Sequence, residues 1–219
     1  MPAIFDILPT PAESPWSYTL VPVIIICSII GFYYKPFFYK LLLHPYEICR
    51  GKRWYTLFTS ALVHRSWIHL LVNILMIYVL LYDLFGLIKQ EYDVIIANIC
   101  SFLFIVGFIS IPNILLSVSK KNDFTFTAVG ASGLTFALYG FSAMFFPLES
   151  RGSFLIKVVK NSGQYWLYFL AIILCLSFIK SLSINRKLHL IAFLIGSACV
   201  YMIRPSAFIE FCKALNFGF

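Results

Sequence analysis

Charge is scarce in this chain: Asp, Glu, Lys and Arg make up 12% of its 219 residues, where a soluble domain carries about 25%. So few charges cannot cover the surface of a fold that is 61% hydrophobic and 18% aromatic, which excludes a soluble globular domain. The same composition excludes a disordered chain, a coiled coil and a nucleic-acid-binding domain. Residues 1–16 contain no Lys or Arg and so lack the basic start of a cleavable signal peptide. The first apolar run is therefore expected to stay as a membrane span. The six cysteines (Cys27, Cys49, Cys100, Cys175, Cys199, Cys212) show no CxxC spacing, so neither a disulfide framework nor a metal site is indicated. Internal repeats are missing too, which removes support for inverted-repeat transporters.

What is present is long apolar runs, with a mean hydropathy of +0.89. A helix needs about 17–25 mainly apolar residues to cross the hydrocarbon core. Runs suited to this are Tyr18–Tyr34, Trp67–Ile88, Val94–Val118, Thr127–Phe146, Gln164–Ile179 and Leu188–Ile203. Isolated strands cannot satisfy their backbone in lipid, so the spans are read as helices. The expected architecture is an all-α, polytopic membrane protein: a tail over 1–17, a six-span core over 18–203 and a tail over 204–219. The connection at about 35–66 mixes aromatics with basic residues, among them Phe37, Phe38, Tyr39, Lys40, Trp54 and Tyr55. It is expected to lie in the membrane interface as short helices, where amphipathic rings and snorkelling cations are both satisfied.

The net charge is +8, from 17 basic and 9 acidic residues, and suits contact with anionic lipid head groups. The first, third and fifth connections hold 11 of the Lys and Arg residues, and the rest of the chain holds 6. Counted simply, this places the first connection in the cytoplasm. Six of the eleven, however, belong to the interfacial segment and say little about orientation.

Polar side chains inside spans are functional candidates by default. His69 and Asn73, four apart near the start of the second span, share one helical face. The fourth span opens Val129-Gly130-Ala131-Ser132-Gly133 and the sixth contains His189. Gly130, Gly133, Ala137 and Gly140 form a small-residue stripe, and so do His189, Ala192 and Gly196. Facing stripes of this kind let two helix backbones approach closely and would bring Ser132 within hydrogen-bonding reach of His189. A serine hydroxyl becomes a nucleophile when an imidazole takes its proton. The oxyanion that follows needs donors, for which His69, Asn73 and the Ser132 N–H are candidates. Each feature alone is ordinary: a membrane serine usually bonds back to its own helix, and a lone His or Asn is usually an interhelical contact. Their combination points to chemistry.

The pattern His64-x4-His69-x3-Asn73, then Gly130-Ala131-Ser132-Gly133, then His189-x6-Gly196 resembles the rhomboid family of intramembrane serine proteases, in the family's order. The resemblance implies a six-helix rhomboid-like bundle. In it Ser132 is the nucleophile and His189 the base, with His69 and Asn73 at the oxyanion, His64 nearby, and Phe136 against the catalytic His. Gly130 and Gly133 belong to the same substrate-binding surface. It further implies an endopeptidase that cleaves membrane-anchored proteins in or near their transmembrane segments through an acyl-enzyme, with no metal or cofactor. The active site would face the extracytoplasmic side of a cell or inner membrane, against the simple charge count. Two departures stand out: Ala192 replaces a usual Gly, and Trp54 is preceded by Arg53 and followed by Tyr55. The alternative is a rhomboid-like pseudoprotease that binds or routes membrane clients without cutting them. Accessory proteins, oligomeric state and substrate identity are left open.

Overall fold

The computed structural model describes residues 8–150, 159–178 and 186–215. Residues 1–7 of the N-terminal tail, 151–158, 179–185 (with Ile179, the last residue of the fifth apolar run) and 216–219 lie outside them. The described chain is all-α apart from one isolated bridge, Leu43 with Ala128. Three helices are long and apolar enough to cross a membrane: α1 (Pro15–Tyr33), α5 (Trp67–Glu91) and α6 (Val94–Ser119). Three shorter apolar helices follow, α7 (Ser132–Phe145), α8 (Ser162–Phe178) and α9 (Arg186–Ile203). Between α1 and α5 run the short helices α2 (Lys35–Leu41), α3 (Pro45–Ile48) and α4 (Thr56–Thr59) and a 3-10 turn, Ser60–Leu62. Residues 204–219, read from sequence as a tail, contain a further helix, α10 (Ala207–Ala214).

Exposure on the long helices is inverted relative to a soluble protein. Ile26, Ile68, Leu75, Val79, Ile95 and Leu103 are exposed, whereas Ser17, Ser28, Ser101, Ser110 and Ser117 are buried. Hydrocarbon is the solvent that such a surface fits. The chain is an integral, multi-pass membrane protein.

The chain divides into two compact units, Met1–Thr135 and Phe136–Phe219. In the first, polar side chains join helices that apolar contact alone would not hold in register. Ser17 Oγ of α1 donates to the Tyr78 carbonyl of α5 (2.7 Å), and the Phe32 and Trp67 rings meet at 4.6 Å. Asn113 Nδ2 of α6 donates to the Leu57 carbonyl (2.8 Å). Asp93 caps α6 by accepting from the Ile95 and Ile96 N–H groups, which satisfies donors that every helix start leaves open. Arg53 organises the long connection. Its guanidinium donates to the carbonyls of Tyr39, Lys40 and Leu42 (2.6, 3.1 and 3.2 Å) and pairs with Glu47 at 3.4 Å. That single fork ties the end of α2 to the segment preceding α4.

In the second unit α7 and α9 touch backbone to backbone. A Cβ built on Gly196 would lie 1.8 Å from the Ala137 carbonyl oxygen, and one on Gly140 would lie 2.1 Å from that of Phe193. Ser197 Oγ sits at this crossing, accepting from Trp166 Nε1 (2.7 Å) and donating to the Phe193 carbonyl (2.8 Å). Helix α10 packs through Phe211 on Trp166, with ring centroids 5.2 Å apart. Arg204 fixes its approach, pairing with Glu210 at 2.6 Å and donating to the Phe145 carbonyl at the end of α7 (2.8 Å).

The fourth helix starts later than its apolar run. A helix over Thr127–Phe146 is expected from sequence, but the structure begins it at Ser132. The backbone groups ahead of it are committed elsewhere. Leu43 and Ala128 exchange N–H···O bonds (2.9 and 3.2 Å), and the Gly130 N–H donates to the Ser60 carbonyl (2.9 Å). Gly130 itself has φ +107°, outside the helical region and open to glycine. What remains is 14 residues, about 21 Å of helix and less than the hydrocarbon thickness.

The α7–α9 approach is directly testable. Gly196→Ala should lower stability by about 1–3 kcal/mol or more, since backbone and not a flexible side chain stands in the way. Gly86→Ala, with nothing within 4 Å, should be neutral or stabilising by up to about 1 kcal/mol. Thermal unfolding of the purified variants in detergent compares the two; equal effects would contradict the backbone contact.

Candidate functional site

The first unit contains six polar or small residues singled out in the sequence: His64, His69, Asn73, Gly130, Ser132 and Gly133. Ser66 caps α5 by accepting from the His69 N–H (3.3 Å), which sets the start of the helix that carries His69 and Asn73. The Asn73 amide is oriented by its own helix: Nδ2 donates to the His69 carbonyl (2.7 Å). Oδ1 is thereby turned outward, where it accepts from Thr135 Oγ1 (3.0 Å). Thr135 lies three residues after Ser132, so this bond attaches the first turn of α7 to the α5 face bearing His69.

His64 is buried and both its ring nitrogens are engaged. The Ala131 N–H donates to His64 Nε2 (3.2 Å), so Nε2 is the acceptor and the proton sits on Nδ1. Nδ1 in turn donates to Ser28 Oγ (2.9 Å), whose hydroxyl donates to the Leu62 carbonyl (3.0 Å). The chain of donors closes without a spare proton, and the neutral tautomer is the one it fits. Burial first, and the neighbouring His69 second, push the His64 pKa down from 6.5 to about 3. The two imidazoles meet edge to face with centroids 5.0 Å apart. A Cβ on Gly130 would stand 2.5 Å from His69 Cε1. Glycine is therefore required there twice, by conformation and by the ring beside it.

Ser132 is the first residue of α7 and Gly133 the second; both are half-buried. The backbone leading into Ser132 is held by Ser60 at Gly130 and by His64 at Ala131. In the second unit the half-buried His189 stacks on Phe136, with centroids 4.2 Å apart and planes 9° from parallel. Phe169 of α8 backs Phe136 at 6.1 Å, so the imidazole plane is set by a wall of rings. Of the sequence candidates, His64, His69, Asn73, Gly130, Ser132 and Gly133 thus belong to one unit and Phe136 and His189 to the other.

The sequence matches the Rhomboid domain over residues 51–206. The chain belongs to the rhomboid family. The match starts within the long connection and takes in every candidate site residue of this rhomboid chain. No curated protein matches it significantly. Sequence reasoning did not find Ser28, Ser60 or Thr135, the residues that orient His64, Gly130 and Asn73. Only Thr135 left a signal, being one turn from Ser132 on a helix that carries the motif.

The titration of His64 follows from its bonds. Protonating Nε2 would displace the Ala131 N–H, so the folded state resists the proton that the unfolded chain accepts. Stability from this group is whole above pH 6.5 and is lost as pH falls from 6.5 towards about 3. Nitrogen NMR of histidine-labelled protein should show His64 as the Nδ1–H tautomer with no titration between about pH 5 and 8. A midpoint near 6.5 would contradict the clamp.

Proposed function

We propose that this rhomboid-family protein is an intramembrane serine endopeptidase with six membrane helices, in which Ser132 is the nucleophile and His189 the general base. The observation that carries the reading is the Phe136–His189 stack. Phe136 stands four residues after Ser132 in the sequence, so the ring that sets the imidazole plane belongs to the helix that opens with the nucleophile. The turn into Ser132, clamped at Ala131 by His64, supports it further by fixing the backbone from which an oxyanion donor would come.

In this reading His189 takes the Ser132 hydroxyl proton as Oγ attacks a substrate carbonyl. The new oxyanion is met by the Ser132 N–H at the start of α7, where helix donors are open and the dipole is favourable. His69 and the second amide hydrogen of Asn73 complete the set. The C–N bond then breaks, His189 returns the proton to the leaving amine, and an ester remains on Ser132. Water, deprotonated by His189, hydrolyses that ester and restores both groups. Gly130 and Gly133, having no side chains, leave room for substrate backbone beside Ser132. The substrate is the transmembrane segment of another membrane protein, and its helix must open locally before a peptide carbonyl can be attacked. In this reading the site faces the extracytoplasmic side of the membrane.

Reconstituted in liposomes with a single-span reporter substrate, the wild type should cleave it within or near the span. Ser132→Ala and His189→Ala should each lower the rate by at least about a thousandfold with unchanged thermal unfolding. Cleavage that persists in Ser132→Ala would refute the assignment. A folded wild type that binds the reporter without cutting it would favour the pseudoprotease reading.

A further inference from the structure

The first unit contains a cavity of about 330 Å³ that none of the steps above uses. That is the lower end of the range for small-ligand sites, about 300–1,000 Å³. Two cations open onto it, Lys35 and Arg65, and none of its lining residues is acidic. Lys35 hangs over the Phe38 ring at 5.7 Å. Arg65 donates to the Thr127 carbonyl (3.1 Å), a bond that takes one of the five donors of its guanidinium. Phe38 and Leu42 supply apolar lining beside the cations. The cavity therefore offers two positive donors beside a greasy surface, which is the chemistry of an amphipathic anion.

Its position selects among such anions. Lys35 comes two residues after the last residue of α1, a helix long enough to cross the membrane, and the exposed Tyr33, Tyr34 and Tyr39 are close to it in the sequence. Aromatics and a lysine at the end of a span mark the head-group level. Lipid phosphate lies at that level, and a basic residue near an anionic membrane surface adds about 1 kcal/mol of attraction. We infer that the cavity is a binding site for the phosphate group of an anionic phospholipid, held by Lys35 and Arg65 with its glycerol backbone against Phe38 and Leu42.

Thr127, Val129 and His64 also line the cavity, and they give the site a consequence. The first two belong to the strand-like lead into Gly130, and the third holds the Ala131 N–H. A bound lipid phosphate would thus steady the segment that ends in Ser132. This consequence deepens the proposed protease reading, but the binding itself does not depend on it.

The test uses the full chain in phosphatidylcholine nanodiscs with increasing phosphatidylglycerol. Native mass spectrometry counts retained lipid, and hydrogen exchange follows residues 127–131. Wild type should retain one phosphatidylglycerol and gain protection over 127–131. Lys35→Gln should weaken retention about fivefold and the double variant with Arg65→Gln about thirtyfold, while Lys35→Arg holds it. Lys35→Gln is the cleaner substitution because it leaves the Arg65–Thr127 bond intact. Equal retention in wild type and the double variant would overturn the site, as would an equal loss in Lys89→Gln, a cation outside the cavity. Displacement of the lipid by inorganic phosphate, with the same protection, would reassign the site to a soluble phosphate and overturn the lipid. Neither readout involves proteolysis, so an inactive Ser132 would leave the lipid site standing.

Discussion

The hydrogen bond from the Ala131 N–H to His64 Nε2 is the interaction on which the rest of the first unit converges. Residues 127–131 are not helical, and in an apolar surrounding each of their backbone donors needs a partner. Leu43 serves Ala128, Ser60 serves Gly130 and His64 serves Ala131. All three come from the stretch between α1 and α5, which explains why a membrane protein keeps so long and polar a connection. Arg53 holds that connection together by gathering three carbonyls, and Ser28 reaches from α1 to choose the His64 tautomer. The chain of dependence runs from α1 through His64 to the residue before Ser132.

The second unit is organised by a different means. Gly140 and Gly196 remove side chains where α7 and α9 cross, so the helices meet at backbone distance and Ser197 can bridge them. Close approach fixes rotation as well as spacing, and with it the face that carries His189 onto Phe136. Arg204 finishes the arrangement by closing the end of α7 with a carbonyl bond and a carboxylate pair. Small residues and one buried serine thus set the imidazole, while a loop of long-range hydrogen bonds sets the serine backbone.

Much of this was legible in the sequence. The apolar runs predict α5, α6 and α9 to within a few residues, because lipid makes hydropathy the controlling variable. The spacing of Ala137, Gly140, Ala192 and Gly196 anticipates the α7–α9 crossing, since a missing side chain is itself a record of close approach. The late start of α7 was hidden. Thr127, Ala128 and Val129 are as apolar as a span, and the partners that draw them out of a helix lie about 65 to 85 residues earlier in the chain. Hydrogen bonds of that range leave no periodicity. For the same reason the sequence located His64 without showing its task, and gave no sign of Ser28 or Ser60. Helix α10 was not anticipated because its eight residues, interrupted by Glu210 and Lys213, are too few for a span and read as part of a tail. Its contacts are with Arg204 and Trp166, which lie outside the helix itself.

The most direct measurement of the central claim is acylation of Ser132 by a fluorophosphonate probe, located by mass spectrometry in the purified protein in lipid nanodiscs. The account predicts a single adduct on Ser132 in the wild type and its loss in His189→Ala, because the hydroxyl needs the imidazole to become nucleophilic. A folded wild type that takes no label at Ser132, or a His189→Ala variant labelled at the wild-type rate, would contradict it.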